Sequence, residues 1–369
     1  MKVIFEQTEL AKALDIVYKA AQPKVTSNTN NGILFSTKEN SVEIQANDYT
    51  LAIKTICPAQ TEEEGAVVIA APQLTSMIKL MPPGPVIFEK NNEEGTATFT
   101  GGKTVYRFPI RQTDEYPAIT PLDSVNSCAM ESKILTDLVN LTQFATAGDK
   151  EKPLFSGILF EIKDSVITLA ATNTHQLATK EATLTIPAEN PGRLIVPSFV
   201  ASEVIRLLSL SQEETVKIIW GKQHVAFSFG NIYLLSSLIS GEYPDYKRVI
   251  PTEFTNRAEI NLADIRAAVS MVTPISRDIN YKTINFQFEN NEVSIYEEDK
   301  SIGSSKTVLP CVFEGEPLHI VFNCFYIEDI LKHSKGDIVI FNLIKNGPML
   351  VEQEEDKNYR YVVTPMRGH

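Results

Sequence analysis

Three stretches of the chain carry apolar residues at helical spacing and stand about one domain length apart. In ELAKALDIVYKAA, Leu10, Leu14 and Val17 share one face; in SKILTDLVNLTQFA it is Leu135, Leu138 and Leu141; in NLADIRAAVSMV it is Leu262, Ile265, Val269 and Val272. Each predicts an amphipathic helix followed by a hairpin. GILF occurs at 32–35 and again at 157–160, ahead of the alternating runs SVEIQAND and SVITLAATN. In TINFQFENNEVSIYEED, Phe288 stands where Phe35 and Phe160 do, which puts the three phenylalanines 125 and 128 residues apart. An apolar strand then opens into a second helix: PQLTSMIKLM, PSFVASEVIRLL and CFYIEDILKH. Pro72 and Pro197 sit near the start of the first two, where a missing N–H costs little. Each copy closes on another strand pair, such as TATFTGG and TVYRFPI with Gly101 and Gly102 as the turn.

This order predicts an α+β chain built from three tandem copies of a two-helix plus antiparallel-sheet unit, with boundaries at 1–122, 123–250 and 251–369. The related phrases DEYPAITP (114–121) and GEYPDYKRVIP (241–251), whose tyrosines Tyr116 and Tyr243 are 127 residues apart, punctuate the ends of the first two copies. A length of 369 residues suits several cores rather than one.

With 43% hydrophobic and 22% charged residues the chain reads as globular and soluble. No apolar run approaches the ~20 residues of a membrane span, and the N-terminus breaks into charges too early for a signal peptide, so the expected location is cytoplasmic. Cys57, Cys128, Cys311 and Cys324 have no CxxC spacing and no histidine pairs beside them, which points to neither a metal site nor a disulfide framework.

Catalytic arrangements are also missing from the pattern. GGKT at 101–104 imitates a phosphate-binding loop, but the first glycine of that motif falls on Ala97, and the stretch joins two strands instead of opening a helix. The five histidines, His175, His224, His319, His333 and His369, have no metal-ligand spacing, and acid pairs such as Glu297 and Glu298 read as solvated. Neither an enzymatic activity nor a cofactor is expected.

The net charge is -12, with 11 basic against 14 acidic residues in each of the first two copies and 12 against 18 in the third. Such a balance opposes nucleic-acid binding unless the basic residues are gathered on one surface. Lys12 and Lys19 lie two turns apart, away from the Leu10/Leu14/Val17 stripe, with Lys24 just beyond; Arg266 and Arg277 hold similar places in the third copy. Periodicity alone allows either a solvated helix face or a shared lining that meets phosphates.

Three α+β copies, the phrase GEYPDYKRVIP, THQLA at 174–178 and the ending YRYVVTPMRGH together resemble the bacterial β sliding clamp family, over the whole chain. The resemblance implies a head-to-tail homodimer, a closed ring of six similar domains with helices inside and sheets outside, that encircles duplex DNA without reading its sequence. It implies the clamp loader, replicative and other DNA polymerases, and repair proteins carrying a glutamine-plus-hydrophobic motif as partners. DNA-facing residues would be Lys12, Lys19, Lys24, Lys150, Arg266 and Arg277. The family often carries a basic pair after VP in the second copy; this chain reads Pro197, Ser198, Phe199 there.

The implied peptide pocket comprises Leu154 and Phe155; Thr172, His175, Gln176 and Leu177; Pro244, Arg248 and Val249; Pro348; and Val362, Val363, Thr364, Pro365 and Met366. At the dimer interface, Leu74, Ile78 and Tyr106 would face Met271 and Val272, with Lys103 or Arg107 near Glu297 and Glu298. The alternative reading is a triplicated scaffold of the same fold that binds peptides but does not encircle DNA.

Overall fold

The structure, a computed structural model, describes residues 1–21, 32–69, 73–111, 113–114, 116–117, 119–123, 126–148, 152–278 and 282–366. Six α-helices form among them: α1 Gln7–Val17, α2 Leu74–Lys79, α3 Ser132–Thr142, α4 Ser198–Ser211, α5 Leu262–Asp278 and α6 Cys324–His333. They are the three helix pairs that the apolar spacing predicts. α1 buries Leu10, Leu14 and Val17, and α6 buries Ile327, Ile330 and Leu331 after an Asn323 cap whose side chain accepts the Phe325 N–H at 3.0 Å. α5 runs further than its periodicity suggests. Pro274 lies inside the helix, and the chain stays helical to Asp278.

The strands are antiparallel throughout the hairpins, and counted back from the turns it is Phe286, not Phe288, that stands where Phe35 and Phe160 do; all four are fully buried. Phe35 stacks on Phe88 at 5.9 Å between ring centroids, and Phe88 meets Phe99 at 4.9 Å, which gives the first copy an aromatic centre. GGKT is a hairpin turn as read: Gly101 pairs with Thr104, and Gly102 takes a positive φ of 57°.

The chain packs as two compact units that do not follow the copy boundaries. Unit 1 takes Met1–Lys133, Leu184–Gly192 and Phe199–Leu238; unit 2 takes Ile134–Thr183, Arg193–Ser198 and Ile239–His369. The reason is strand pairing between copies. In unit 1, strand Leu51–Glu63 of the first copy pairs with Ile232–Ser237 of the second, Leu51 opposite Ser236. In unit 2, strand Gln176–Thr183 of the second copy pairs with Tyr359–Val363 of the third, Gln176 opposite Val363. Twelve strands thus hydrogen-bond in series in unit 1; unit 2 holds a nine-stranded and a four-stranded sheet.

Among the described residues, two strands at complementary edge positions of the repeat keep an open side. Gly303–Pro310 pairs only with Glu292–Asp299. Thr104–Arg111 pairs with Thr96–Gly101 on one side, and on the other only Ile110 and Arg111 are matched, to Ile69 and Val68.

A turn recurs just before three equivalent strands, Leu51–Glu63, Gln176–Thr183 and Gly303–Pro310. Asp48 Oδ1 accepts the N–H groups of Thr50 and Leu51, Asn173 Oδ1 those of His175 and Gln176, and Asp299 Oδ1 those of Ser301 and Ile302. These side chains mimic a backbone turn and fix where the strand begins.

Candidate functional site

An apolar cleft of unit 2 has a volume of about 540 Å³. One wall is the Asn173 turn and the strand it starts, through Thr172, Thr174, His175, Gln176 and Leu177. The facing wall is the linker between the second and third copies, with Pro244, Asp245, Tyr246, Arg248, Val249 and Pro251. Phe155, Pro348, Val362 and Thr364 close the ends.

The cleft owes its shape to Tyr243. Its buried side chain accepts the Thr172 N–H on its hydroxyl at 3.1 Å and meets Phe155 edge to face at 5.7 Å, and its backbone carbonyl receives Arg193 at 3.0 Å. It joins Leu159, Leu177, Ile195, Tyr246, Leu350 and Val362 in one apolar cluster, against which Leu154 and Phe155 pack. Burial pushes the Tyr243 phenol above its ordinary value, so it stays a neutral hydrogen-bonding group. Gly241, two residues earlier, has φ 132°, and a Cβ there would sit 3.0 Å from Leu154 Cδ1; the linker can enter the cleft only with glycine at that point.

Behind the wall, Gln176 is held at both ends of its amide. Its Nε2 donates to the Phe144 carbonyl at 3.3 Å, and its Oε1 accepts the Tyr361 hydroxyl at 2.6 Å. The terminal strand docks on the same turn, with the Thr364 N–H donating to the His175 carbonyl at 2.9 Å. Met366 N–H donates to the Val321 carbonyl at 2.8 Å.

The linker is pinned to the sheet by Glu161, which takes the Lys247 ammonium at 2.8 Å and the Tyr246 hydroxyl at 3.1 Å. Burial alone would raise this carboxyl, but the Lys247 and Tyr246 hydrogen bonds and the lysine charge hold it below its usual value. A depressed carboxylate stabilises the fold above its unfolded pKa and loses that contribution as pH falls through the folded one. Protection factors of the Tyr246–Val249 amides, taken against intrinsic exchange at each pH, are therefore expected to fall in acid. Glu161→Gln should raise exchange at neutral pH and flatten the acid response.

Most of the pocket residues named from sequence come together here: Phe155, Thr172, His175, Gln176, Leu177, Pro244, Arg248, Val249, Pro348, Val362 and Thr364 line the cleft. Leu154 supports it from below. Val363 is fully buried in the strand pair and is not part of the lining; nor are Pro365 and Met366. Thr174, Asp245, Tyr246 and Pro251 line it without having been named, although all four belong to the two quoted phrases.

The basic residues divide. Lys12 and Lys19 are exposed on and just after α1, as their spacing predicts. Arg266 is committed elsewhere: its guanidinium donates to the Leu331 and Ser334 carbonyls at the end of α6. Arg277 forms a two-pronged pair with Glu328 at 3.0 and 3.1 Å and lies over the Phe325 ring. Lys24 and Lys150 lie outside the described residues. Phe199 is exposed at the start of α4.

The interface set needs correction in four places. Leu74, Ile78 and Val272 have no exposed surface, because they pack in the core beneath α2 and α5; Glu297 is buried and accepts Asn285 at 3.1 Å. All four are buried within their own chain. Lys103, Arg107, Met271 and Glu298 are exposed, and Tyr106 is half-buried on the open strand. Arg107 pairs with Glu94 of its own chain at 3.6 Å.

Among the described residues, no group of three or more His, Cys, Asp and Glu is placed to hold a metal. Burial pushes the thiols of Cys57 and Cys128 up to about 12, far from a reactive thiolate at neutral pH. What the cleft offers is apolar surface with a few polar groups.

Comparison with known proteins places all three copies. Residues 1–120 match the N-terminal domain of the DNA polymerase III beta subunit, 129–245 its central domain and 247–367 its C-terminal domain. The chain belongs to the DNA polymerase III beta subunit family. Family members named beta sliding clamp include that of Staphylococcus epidermidis, 26% identical, and that of Bacillus subtilis, 23% identical, each over the full length of both chains. The solved sliding clamp of Bacillus subtilis shares the fold over both full chains, with a TM-score of 0.95 at 22% identity. A clamp of the family from Bartonella birtlesii, solved bound to griselimycin, matches with a TM-score of 0.91 at 24% identity, again over both full chains. No helix among the described residues is long and apolar enough to cross a membrane.

Proposed function

We propose that this chain is a non-catalytic sliding clamp, in which two copies close head to tail around duplex DNA and tether the replicative polymerase and other replication and repair proteins. The observation that carries this reading is the pair of open strands, which hold the two complementary edge positions through which the copies join within the chain. Copies join edge to edge, Leu51 opposite Ser236 and then Gln176 opposite Val363. Carried one repeat further, the same register sets Ile302 opposite Pro109, Ser305 opposite Tyr106 and Lys306 opposite Val105 of a second chain. A heterologous contact of this kind closes into a ring when its rotation allows, and two chains of three copies give six domains. The three copies keep the boundaries 1–122, 123–250 and 251–369, and the expected setting is the cytoplasm.

The ring holds DNA by topology, so phosphate contact is weak and sequence-independent. Lys12 and Lys19 carry it most directly, while Arg277 is offset by Glu328. Glu328→Gln is expected to tighten DNA association and steepen its dependence on salt by about one phosphate contact. Titrating a nicked duplex at several salt concentrations measures that slope. The apolar cleft takes the glutamine-plus-hydrophobic motif of partner proteins.

The deciding experiment loads the protein onto nicked circular DNA with its clamp loader and ATP, then linearises the circle. Retention on circles with loss through free ends supports the encircling ring. No loading, by a loader that handles another clamp and with peptide binding intact, supports the scaffold reading.

A further inference from the structure

A second cleft, of about 350 Å³, opens on the far side of the same linker. Tyr246 lines both clefts, so a chain leaving the apolar one over this ring enters the other directly. The second cleft is polar. Its floor is the sheet face carrying Thr179 and Glu181, with Arg360 opposite Thr179 across the strand pair and Lys357 just before that strand; Lys247 forms the linker side. The Lys247 ammonium is matched by Glu161. What remains is Lys357 and Arg360 against Glu181, all three exposed: an excess of positive charge on a chain whose total is -12.

From this geometry we infer that the cleft is an accessory subsite for a carboxylate-bearing residue flanking the docking motif of a partner peptide. The inference rests on the apolar cleft being the peptide site. Over most of this acidic surface an acidic flank is repelled; here an arginine and a lysine meet it, and the buried Thr179 adds a hydroxyl to the cleft lining. The subsite selects among partners that share the hydrophobic motif but differ in the charge beside it.

The test compares fluorescein-labelled peptides by anisotropy at low and high salt. One carries the glutamine-plus-hydrophobic core with neutral flanks; others add a glutamate pair, or a lysine pair, at one end or the other. An acidic flank at one of the two ends is expected to bind about fivefold tighter than the neutral peptide at low salt, and the gain should vanish at high salt. In Lys357→Glu/Arg360→Glu the preference should invert toward the lysine-flanked peptide while the core peptide binds as before. Equal affinities of neutral and acidic peptides for the unaltered protein would overturn the inference without involving any variant. If the core peptide itself does not bind, the docking reading fails, and the subsite falls with it.

Discussion

Tyr243→Ala is expected to abolish capture of the glutamine-plus-hydrophobic peptide, with affinity lowered at least about a hundredfold. The side chain is not itself among the residues lining the cleft. It supports both walls at once, through the Thr172 N–H on its hydroxyl and Phe155 on its ring, while the backbone carbonyl that receives Arg193 stays in the variant. Removing a buried aromatic of this kind also costs about 3–5 kcal/mol of stability, which calorimetry would report. Tyr243→Phe separates the two effects: it keeps the ring but leaves the Thr172 N–H without its acceptor, a loss of about 1–3 kcal/mol. The internal repeat supplies a control. Tyr116 holds the matching place in the first copy, its hydroxyl reaching the Gly32 and Gln45 carbonyls at 3.1 and 3.2 Å. Tyr116→Ala should destabilise unit 1 to a similar degree and leave peptide affinity unchanged. Equal loss of peptide binding in both variants would mean that general unfolding, not the cleft, is being measured.

The other large effect concerns ring closure. In the proposed register, Val105 lies opposite Lys306 of the second chain, and Tyr106 opposite Ser305. Val105 is 56% exposed, unusual for a valine in a strand unless something covers it. Val105→Lys sets like charges directly across the strand pair, and Tyr106→Ala removes an aromatic anchor. A closed dimer contains this contact twice, so a modest penalty of about 1.5 kcal/mol per contact raises the dissociation constant about a hundredfold. Sedimentation velocity should show monomers at concentrations where the unaltered protein is dimeric. Adding Lys306→Glu should restore the dimer by turning repulsion into attraction. The monomer should still bind peptide, because every residue lining the apolar cleft comes from one chain. An unchanged dimer would place the closing edge elsewhere.

The helices and the triplication were legible because both are short-range patterns: Leu10, Leu14 and Val17 mark a face within eight residues, and GILF repeats itself. Strand partners across copies were not legible. Gln176 meets Val363 through a pairing that no local spacing encodes. The same limit explains Leu74, Ile78 and Val272, since an apolar residue on a helix reads alike whether it faces its own sheet or another chain. It also explains Arg277, whose pairing with Glu328 brings together helices that lie fifty residues apart. One signal was present and unread. Asp48, Asn173 and Asp299 recur at intervals of 125 and 126 residues, each ahead of the equivalent strand of its copy, and their short acceptor side chains are the turn residues that such a start requires.

The joining of copies through strand pairs also makes the covalent linkers dispensable once the chain has folded. A protease cut between Tyr116 and Asp123 severs the peptide chain but not the ladder that sets Leu51–Lys54 against Tyr233–Ser236. A cut in the second linker leaves Gln176–Lys180 on Tyr359–Val363 in the same way. Nicked protein should therefore behave as intact on a sizing column and come apart only in denaturant. Fragments divided at these points are natural halves for reassembly in trans, whereas an isolated central copy would lay bare an unpaired strand at each end and is the piece most prone to associate wrongly.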